Sequence, residues 1–302
     1  MPPAHHLSLS LGEQPEPARI DASGLPQALL DPVQELLDGR HLELPILPPS
    51  VARLILACGE RSSDLDEIAQ LVSLDPSLTA HILSLANSAG FAPMCAIRDI
   101  PDAVRRLGTR AIGDLAVSSM VNSFALAHDH RRTLELFKRA SICGVFSYCI
   151  GRVLGPVRHA SLMPGLLHDI GRPICISFLT DLRGIVPGSL NPEVIEYLAE
   201  QLHAEVGAHL VREWNLPASL EIPIRYHADT ATAPDSVDNL RDAHIANLAD
   251  LLAGWALEPE STHNVVLSDN TDVLALGLSS SDLTKVLACL RDALSAGNSF
   301  GG

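Results

Sequence analysis

The sequence predicts an all-α protein, and three observations carry that reading. Aromatic residues make up only 4% of the 302 residues, whereas strands favour aromatic and β-branched side chains. Leu and Ala recur along the whole chain, a composition that suits packed helices. Apolar residues repeat at steps of three and four, and no alternating run or Asn-Gly hairpin interrupts them.

The elements follow in order. Residues 1–25 hold four prolines and the His5–His6 pair without periodicity, and are predicted to form a loose arm. Helical spacing begins with Leu29, Leu30, Val33, Leu36 and Leu37. Asp64 and Glu67 have the separation of a capping box, in which each side chain bonds the other residue's backbone N–H. Asp75–Pro76 reads as an N-cap followed by proline in the first turn. Gly108–Thr109 reads as a helix stop and restart, the next helix carrying Ile112, Leu115, Ala116, Ser119 and Met120 on one face. A long helix is predicted over 134–154, and later helices over 158–168, 172–182, 192–214, 217–227, 238–257 and 281–295. The polar stretch 127–133 marks a soft boundary. The predicted organisation is an arm (1–25), an N-terminal helical half (26–130), a second helical half (131–257) and a C-terminal helical extension (258–302).

Bulk properties exclude several functions. A net charge of −15 opposes binding to nucleic acid, whose phosphates require a basic surface, and to anionic lipid. No apolar run reaches the roughly 18 residues of a membrane span, and the N-terminus lacks a signal-peptide layout. The six cysteines are scattered without a Cys-x-x-Cys and read as buried thiols in a reducing compartment, so the chain is expected to be cytoplasmic. There is no phosphate-binding loop, dinucleotide fingerprint or serine nucleophile elbow.

The chemistry concentrates in the second half. In Pro164-Gly-Leu-Leu-His-Asp-Ile-Gly171, an apolar helix runs into His168 and Asp169 and stops at glycine. Apolar neighbours make an unpaired charge costly, so the pair requires a metal or a basic partner; simple capping by Asp169 is the plainer alternative. His203 shares a helical face with Val206, Gly207, Leu210, Val211 and Trp214, where a lone histidine is most often just hydrogen-bonded. His209 points elsewhere, to the surface. His227 ends a short apolar helix, where it can ligate a metal or cap carbonyls. On the 238–257 helix, Leu240, His244, Asn247, Leu248, Leu251 and Trp255 form one stripe. Ala243, Ala246, Asp250, Ala253 and Gly254 form a small-residue stripe beside it, on which Asp250 is an inward carboxylate or a solvated one. Arg98, Arg105, Arg106 and Arg110 make the main basic cluster; pairing of Arg106 with Asp102 four residues earlier is favoured over phosphate binding.

These motifs, taken in order, resemble the HDOD signalling domains, relatives of the HD metal-dependent phosphohydrolases. The likeness runs over about 42–255. It opens on Leu44-Pro-Ile-Leu-Pro48 and continues through Asp75-Pro-Ser-Leu-Thr-Ala-His-Ile-Leu-Ser-Leu-Ala-Asn-Ser-Ala89 and Ile97 to Gly108. It then takes in Gly165–Gly171, His203-Ala-Glu-Val-Gly207, Trp214-Asn-Leu-Pro217 and Tyr226-His227. The resemblance implies an HD-like helical bundle with an additional N-terminal helical subdomain. It implies metal ligands at His168, Asp169, His203, His227 and Asp250, the last exchanging with Asn247 under a three-residue shift. Catalytic relatives carry a further histidine on the long helix. Here that stretch reads Phe137-Lys-Arg-Ala-Ser141, and Ala140, which cannot ligate, stands in its place.

A bridged two-metal site lacking a histidine should hold at least one ion poorly. The expectation is therefore a non-catalytic regulatory module that binds a protein partner or a small signal molecule, without nucleic acid or membrane. No cofactor is required, beyond one weakly bound divalent ion (Fe, Mn, Zn or Mg). The alternative is a metal-dependent phosphohydrolase, acting on a nucleotide or phosphodiester, with a reduced site.

Overall fold

The structure is a computed structural model, and it describes residues 8–10, 49–59, 64–87, 96–116, 130–155, 162–183, 190–214, 216, 218–233, 240–258 and 264–298. The His5–His6 pair, the Leu29–Leu37 periodicity and the Leu44–Pro48 opening lie outside these residues.

The fold is all-α. In chain order, α1 covers Pro49–Gly59, α2 Leu65–Ser73, α3 Pro76–Ala86, α4 Ile100–Leu107 and α5 109–116. The second half consists of α6 (His130–Val153), α7 (Met163–Leu167), α8 (Gly171–Leu182), α9 (Pro192–Glu213), α10 (Glu221–Tyr226) and α11 (Arg241–Leu257). The C-terminal extension holds α12 (Thr271–Leu276), α13 (Ser280–Leu287) and α14 (Leu290–Asn298). The single helix expected over 281–295 is thus two, broken near Ala288–Cys289. One small sheet departs from the helical pattern. Strand β1 (Ser8–Ser10), within the arm expected to be loose, pairs antiparallel with β2 (Asn264–Val266), Leu9 opposite Val265.

The helix starts are written locally. Asp75 Oδ1 accepts from the Leu78 N–H at 3.0 Å, as an N-cap should. Asp64 caps α2 through the Asp66 N–H at 2.9 Å, but the capping box does not close. Glu67 instead takes Arg53 of α1 at 2.7 Å, because an ion pair to a neighbouring helix replaces the backbone as its partner. Asn87, just past α3, bonds both backbone groups of Ile97 at 2.8 Å and so fixes the chain entering α4. Asp102 pairs with Arg105 rather than Arg106.

Phe146, Ile142 and Ile150 line one side of α6 and are fully buried, as are Leu252 of α11, which packs along α6, and Leu179 and Leu210 of the packed pair α8 and α9. Cys149 of α6 and Cys289 between α13 and α14 are joined as a disulfide. This corrects the reading of six independent thiols and removes one support for a reducing compartment. A pairing across 140 residues has no local sequence signature. Among the described residues no helix is long and apolar enough to cross a membrane.

His81 sits in α3 at 7% exposure, and burial pulls its pKa from 6.5 down to about 4. The unfolded chain therefore takes up the proton first as the pH falls, and stability is lost from about pH 6.5 down to about 4. The expected contribution is about 2 kcal/mol by pH 5. Urea midpoints at pH 7 and pH 5 should differ less in His81→Leu than in the wild type; equal differences would contradict the burial of His81.

Candidate metal centre

Two close approaches between helices build the centre. A Cβ on Gly165 of α7 would lie 2.3 Å from the Cys143 carbonyl oxygen of α6, so only glycine lets the two helices meet there. A Cβ on Gly171 would lie 2.1 Å from the His203 carbonyl oxygen and 2.6 Å from the Gly207 nitrogen. The start of α8 therefore touches the middle of α9. His168 and Asp169 lie between these two contacts and are delivered against α6 on one side and α9 on the other.

The three inward histidines share one arrangement. Nδ1 of His168 lies 2.7 Å from the Gly165 carbonyl, that of His203 2.6 Å from Glu200, and that of His227 2.9 Å from Ile224. A carbonyl only accepts, so each Nδ1 carries a proton and donates, which turns every Nε2 inward. The Nε2 atoms of His203 and His227 face each other at 3.2 Å, and Asp169 Oδ1 is 3.4 Å from His203 Nε2. Three electron-pair donors on α9, the end of α10 and the α7–α8 junction thus converge, their ligand atoms within 4.8 Å of one another. Such a group repels itself unless a proton or a metal ion sits among its members. His203 and His227 are buried, at 3% and 5% exposure, so water does not relieve the repulsion.

Asp250, on α11, faces His168 Nε2 at 3.3 Å, while Asn247 donates to Asp272 at 3.0 Å. Of the two register alternatives, Asp250 is thus the residue placed beside His168, and Asn247 is turned to Asp272. The five residues singled out from the sequence, His168, Asp169, His203, His227 and Asp250, all come together. His209 lies apart, 3.7 Å from Glu213 on its own helix.

Sequence reasoning missed Arg139 and Cys143. Arg139, on α6, grips Asp250 in a bidentate pair, Nε to Oδ1 at 2.7 Å and Nη2 to Oδ2 at 2.7 Å. The Cys143 thiol donates to Asp250 Oδ1 at 3.4 Å. A signal existed: Arg139 and Cys143 are four apart and lie on one helical face, beside the position noted only for what Ala140 lacks.

Electrostatics follow from this arrangement. Burial opposes ionisation of Asp250, but the Arg139 charge and the His168 hydrogen bond hold its carboxyl well below the usual range. Burial likewise opposes ionisation of Asp169, yet the charges of His203, His168 and Arg172 hold it at about 2. Burial and then the neighbouring His168 and His203 lower His227 to about 3, leaving its ring neutral and suited to ligation. Burial works against protonation of His168, but its contacts with Asp250 prevail and raise its pKa. Arg172 stands at the rim, 2.8 Å from Glu200 and 3.6 Å from Asp169.

Two oriented imidazoles and one carboxylate are an accepted donor set for a single divalent ion such as Fe, Mn or Zn. The Asp169–His203–His227 group fits one ion on that ground. A second ion at Asp250 does not fit, because both carboxylate oxygens are already held by a guanidinium.

The HDOD domain profile matches residues 44–230 of this chain. The chain belongs to the HDOD family. A solved HDOD domain protein of unknown function from Geobacter sulfurreducens superimposes with a TM-score of 0.65 at 21% identity, covering 89% of this chain and 97% of that one. A provisionally named metal-dependent phosphohydrolase from Shewanella amazonensis SB2B gives 0.67 at 19% identity, covering 91% and 98%. These likenesses show the fold. By sequence, an uncharacterised protein of Treponema pallidum is 29% identical over 203 residues, 64% of this HDOD chain. The chain spans only about two-fifths of that relative's length, 39%.

Away from the centre, α1, α5, Leu216 and residues 218–220 border a half-open pocket of about 370 Å³ whose lining includes Ile55, Cys58, Arg110, Asp114, Met163 and Leu220. Burial first, and then Asp114, push the Cys58 thiol up to about 12, so it lines the cavity as an unionised group.

Proposed function

We propose that this HDOD chain is a non-catalytic regulatory module that acts by binding a protein partner or a small signal molecule. The observation that carries the reading is the bidentate Arg139–Asp250 pair, which occupies the carboxylate a second metal ion would need. The half-open pocket between the N-terminal helices and the second half offers a small signal a mostly apolar lining with Arg110 and Asp114 as orienting charges. Asp169, His203 and His227 hold at most one divalent ion, which when bound would polarise and acidify a coordinated water. In this reading the chain's own residues lock the three rings through their Nδ1 bonds and stabilise the junction of α7, α8, α9 and α10.

A second reading, a reduced metal phosphohydrolase, is favoured by the three converging donors and by the provisional name of the Shewanella protein. One experiment separates them. Chelator-stripped protein is reloaded with Mn, Fe or Zn, assayed for ions per chain, and screened against nucleotides and phosphodiesters. The expected result is one ion, weakened at least ~100-fold by Asp169→Ala, and no turnover above that variant. Metal-dependent turnover abolished by Asp169→Ala would establish the second reading and defeat the first.

A further inference from the structure

We infer that Arg139 is a resident cation that holds the place of a second metal ion and masks a latent Cys143–His168–Asp250 metal site. The inference rests on the preceding reading only for the first ion, at Asp169, His203 and His227.

Cys143, His168 and Asp250 form a second group of potential ligands, with their donor atoms within 4.8 Å of one another. Each is already oriented. His168 presents Nε2 because its Nδ1 is fixed by Gly165; Cys143 Sγ and His168 Nε2 both approach Oδ1 of Asp250, at 3.4 and 3.3 Å. Thiolate, imidazole and carboxylate together make a donor set for zinc or cobalt. What stands on the carboxylate instead is the guanidinium, planar and bidentate, which satisfies both oxygens without a metal. The opposite helix lies against it: a Cβ on Gly254, four residues after Asp250 on α11, would meet Arg139 Nη2 at 3.4 Å, an ordinary van der Waals contact.

A guanidinium keeps its charge at all physiological pH values and cannot be chelated away. The Asp250 half of the centre is thereby neutralised permanently, whereas a metal would come and go with supply. Cys143 donates to the same carboxylate oxygen that the guanidinium holds, at 3.4 Å.

The test is a cobalt titration of chelator-stripped full-length protein, reading ions per chain by elemental analysis and thiolate-to-cobalt charge-transfer absorption in the near ultraviolet. Wild type is expected to bind one ion without that band. Arg139→Ala is expected to bind two, with the band present, and Cys143→Ala in the same background should remove the band. Arg139→Lys, which keeps the positive charge, is expected to stay at one. If Arg139→Ala does not fold, Arg139→Gln carries the same comparison. Should neither fold without metal, folding in cobalt with the band supports the inference, and failure to fold even then overturns it. Two ions in wild type, or one ion and no band in a folded Arg139→Ala, also overturn it. The two readings fail separately. Wild type without any ion but Arg139→Ala with one and the band sinks the first-ion reading alone, while one ion in each sinks only the masked site.

Discussion

Gly171→Ala is expected to destabilise the protein by about 3 kcal/mol, at the upper end for an overpacked core, lowering the thermal midpoint by roughly 6–12 °C. The Cβ it adds would lie 2.1 Å from the His203 carbonyl carbon's oxygen and 2.6 Å from the Gly207 nitrogen. Both are backbone atoms in the middle of a helix of 22 residues, so neither can swing aside as a side-chain tip would. The accommodation must come from α8 moving off α9, and Asp169, two residues before Gly171, moves with it. Loss of stability and loss of the Asp169–His203 contact should therefore arrive together, the second seen as weakened metal binding. Gly277→Ala is the control. Gly277 ends α12 in the left-handed region with φ of 65° and nothing within 4 Å of an added Cβ, so alanine there costs about 1 kcal/mol and leaves metal binding unchanged. A Gly171→Ala protein melting within a degree or two of wild type would show that the two helices do not meet at this point.

Asp250→Ala should cost about 2–3 kcal/mol when measured in chelator. Removing one partner of a buried pair leaves the other charge desolvated and unmatched, typically at 3–5 kcal/mol. The two side chains here keep 27% exposure each, which lowers the figure. The cost belongs to the stranded guanidinium and not to the lost attraction. A double replacement, Arg139→Met with Asp250→Leu, should accordingly recover most of the stability, giving a coupling of roughly 2 kcal/mol in a double-mutant cycle. Additive losses from the two single replacements would mean that the guanidinium and the carboxylate are each solvated independently. Metal-binding consequences of Arg139 and the structural cost of Asp250 are separate measurements, since the first is read with cobalt and the second without any ion.

Much of the centre was legible because its signals are local. A His-Asp dipeptide at the end of an apolar helix, a histidine in register with Val206, Leu210 and Val211, and an aspartate on a stripe of small residues are statements about helical periodicity. Periodicity survives in one dimension. The helix start at Asp75 is local in the same way, its side chain bonding the backbone N–H three residues on. Signals that need a partner from elsewhere were read less well. Glu67 has the spacing of a capping box, but an arginine 14 residues earlier takes it. Cys289 shows no sign in the sequence of reaching Cys149, nor Ser8–Ser10 of pairing with Asn264–Val266.

The sequence by itself determined the all-helical fold through spacing along its helices, and its ordered motifs carried the family resemblance that pointed to the five residues. Tertiary structure alone decided what surrounds them. Whether Asp250 or Asn247 enters the centre turned on the rotation of α11, which places Asn247 against Asp272. That Ala140 leaves a gap was visible; that Arg139 beside it supplies a charge was not. A guanidinium's role is set by the carboxylate it meets, and Asp250 lies 111 residues away along the chain. The His168–Asp169 pair called for a metal or a basic group, and the packed helices bring a guanidinium to Asp250 and two histidines to Asp169.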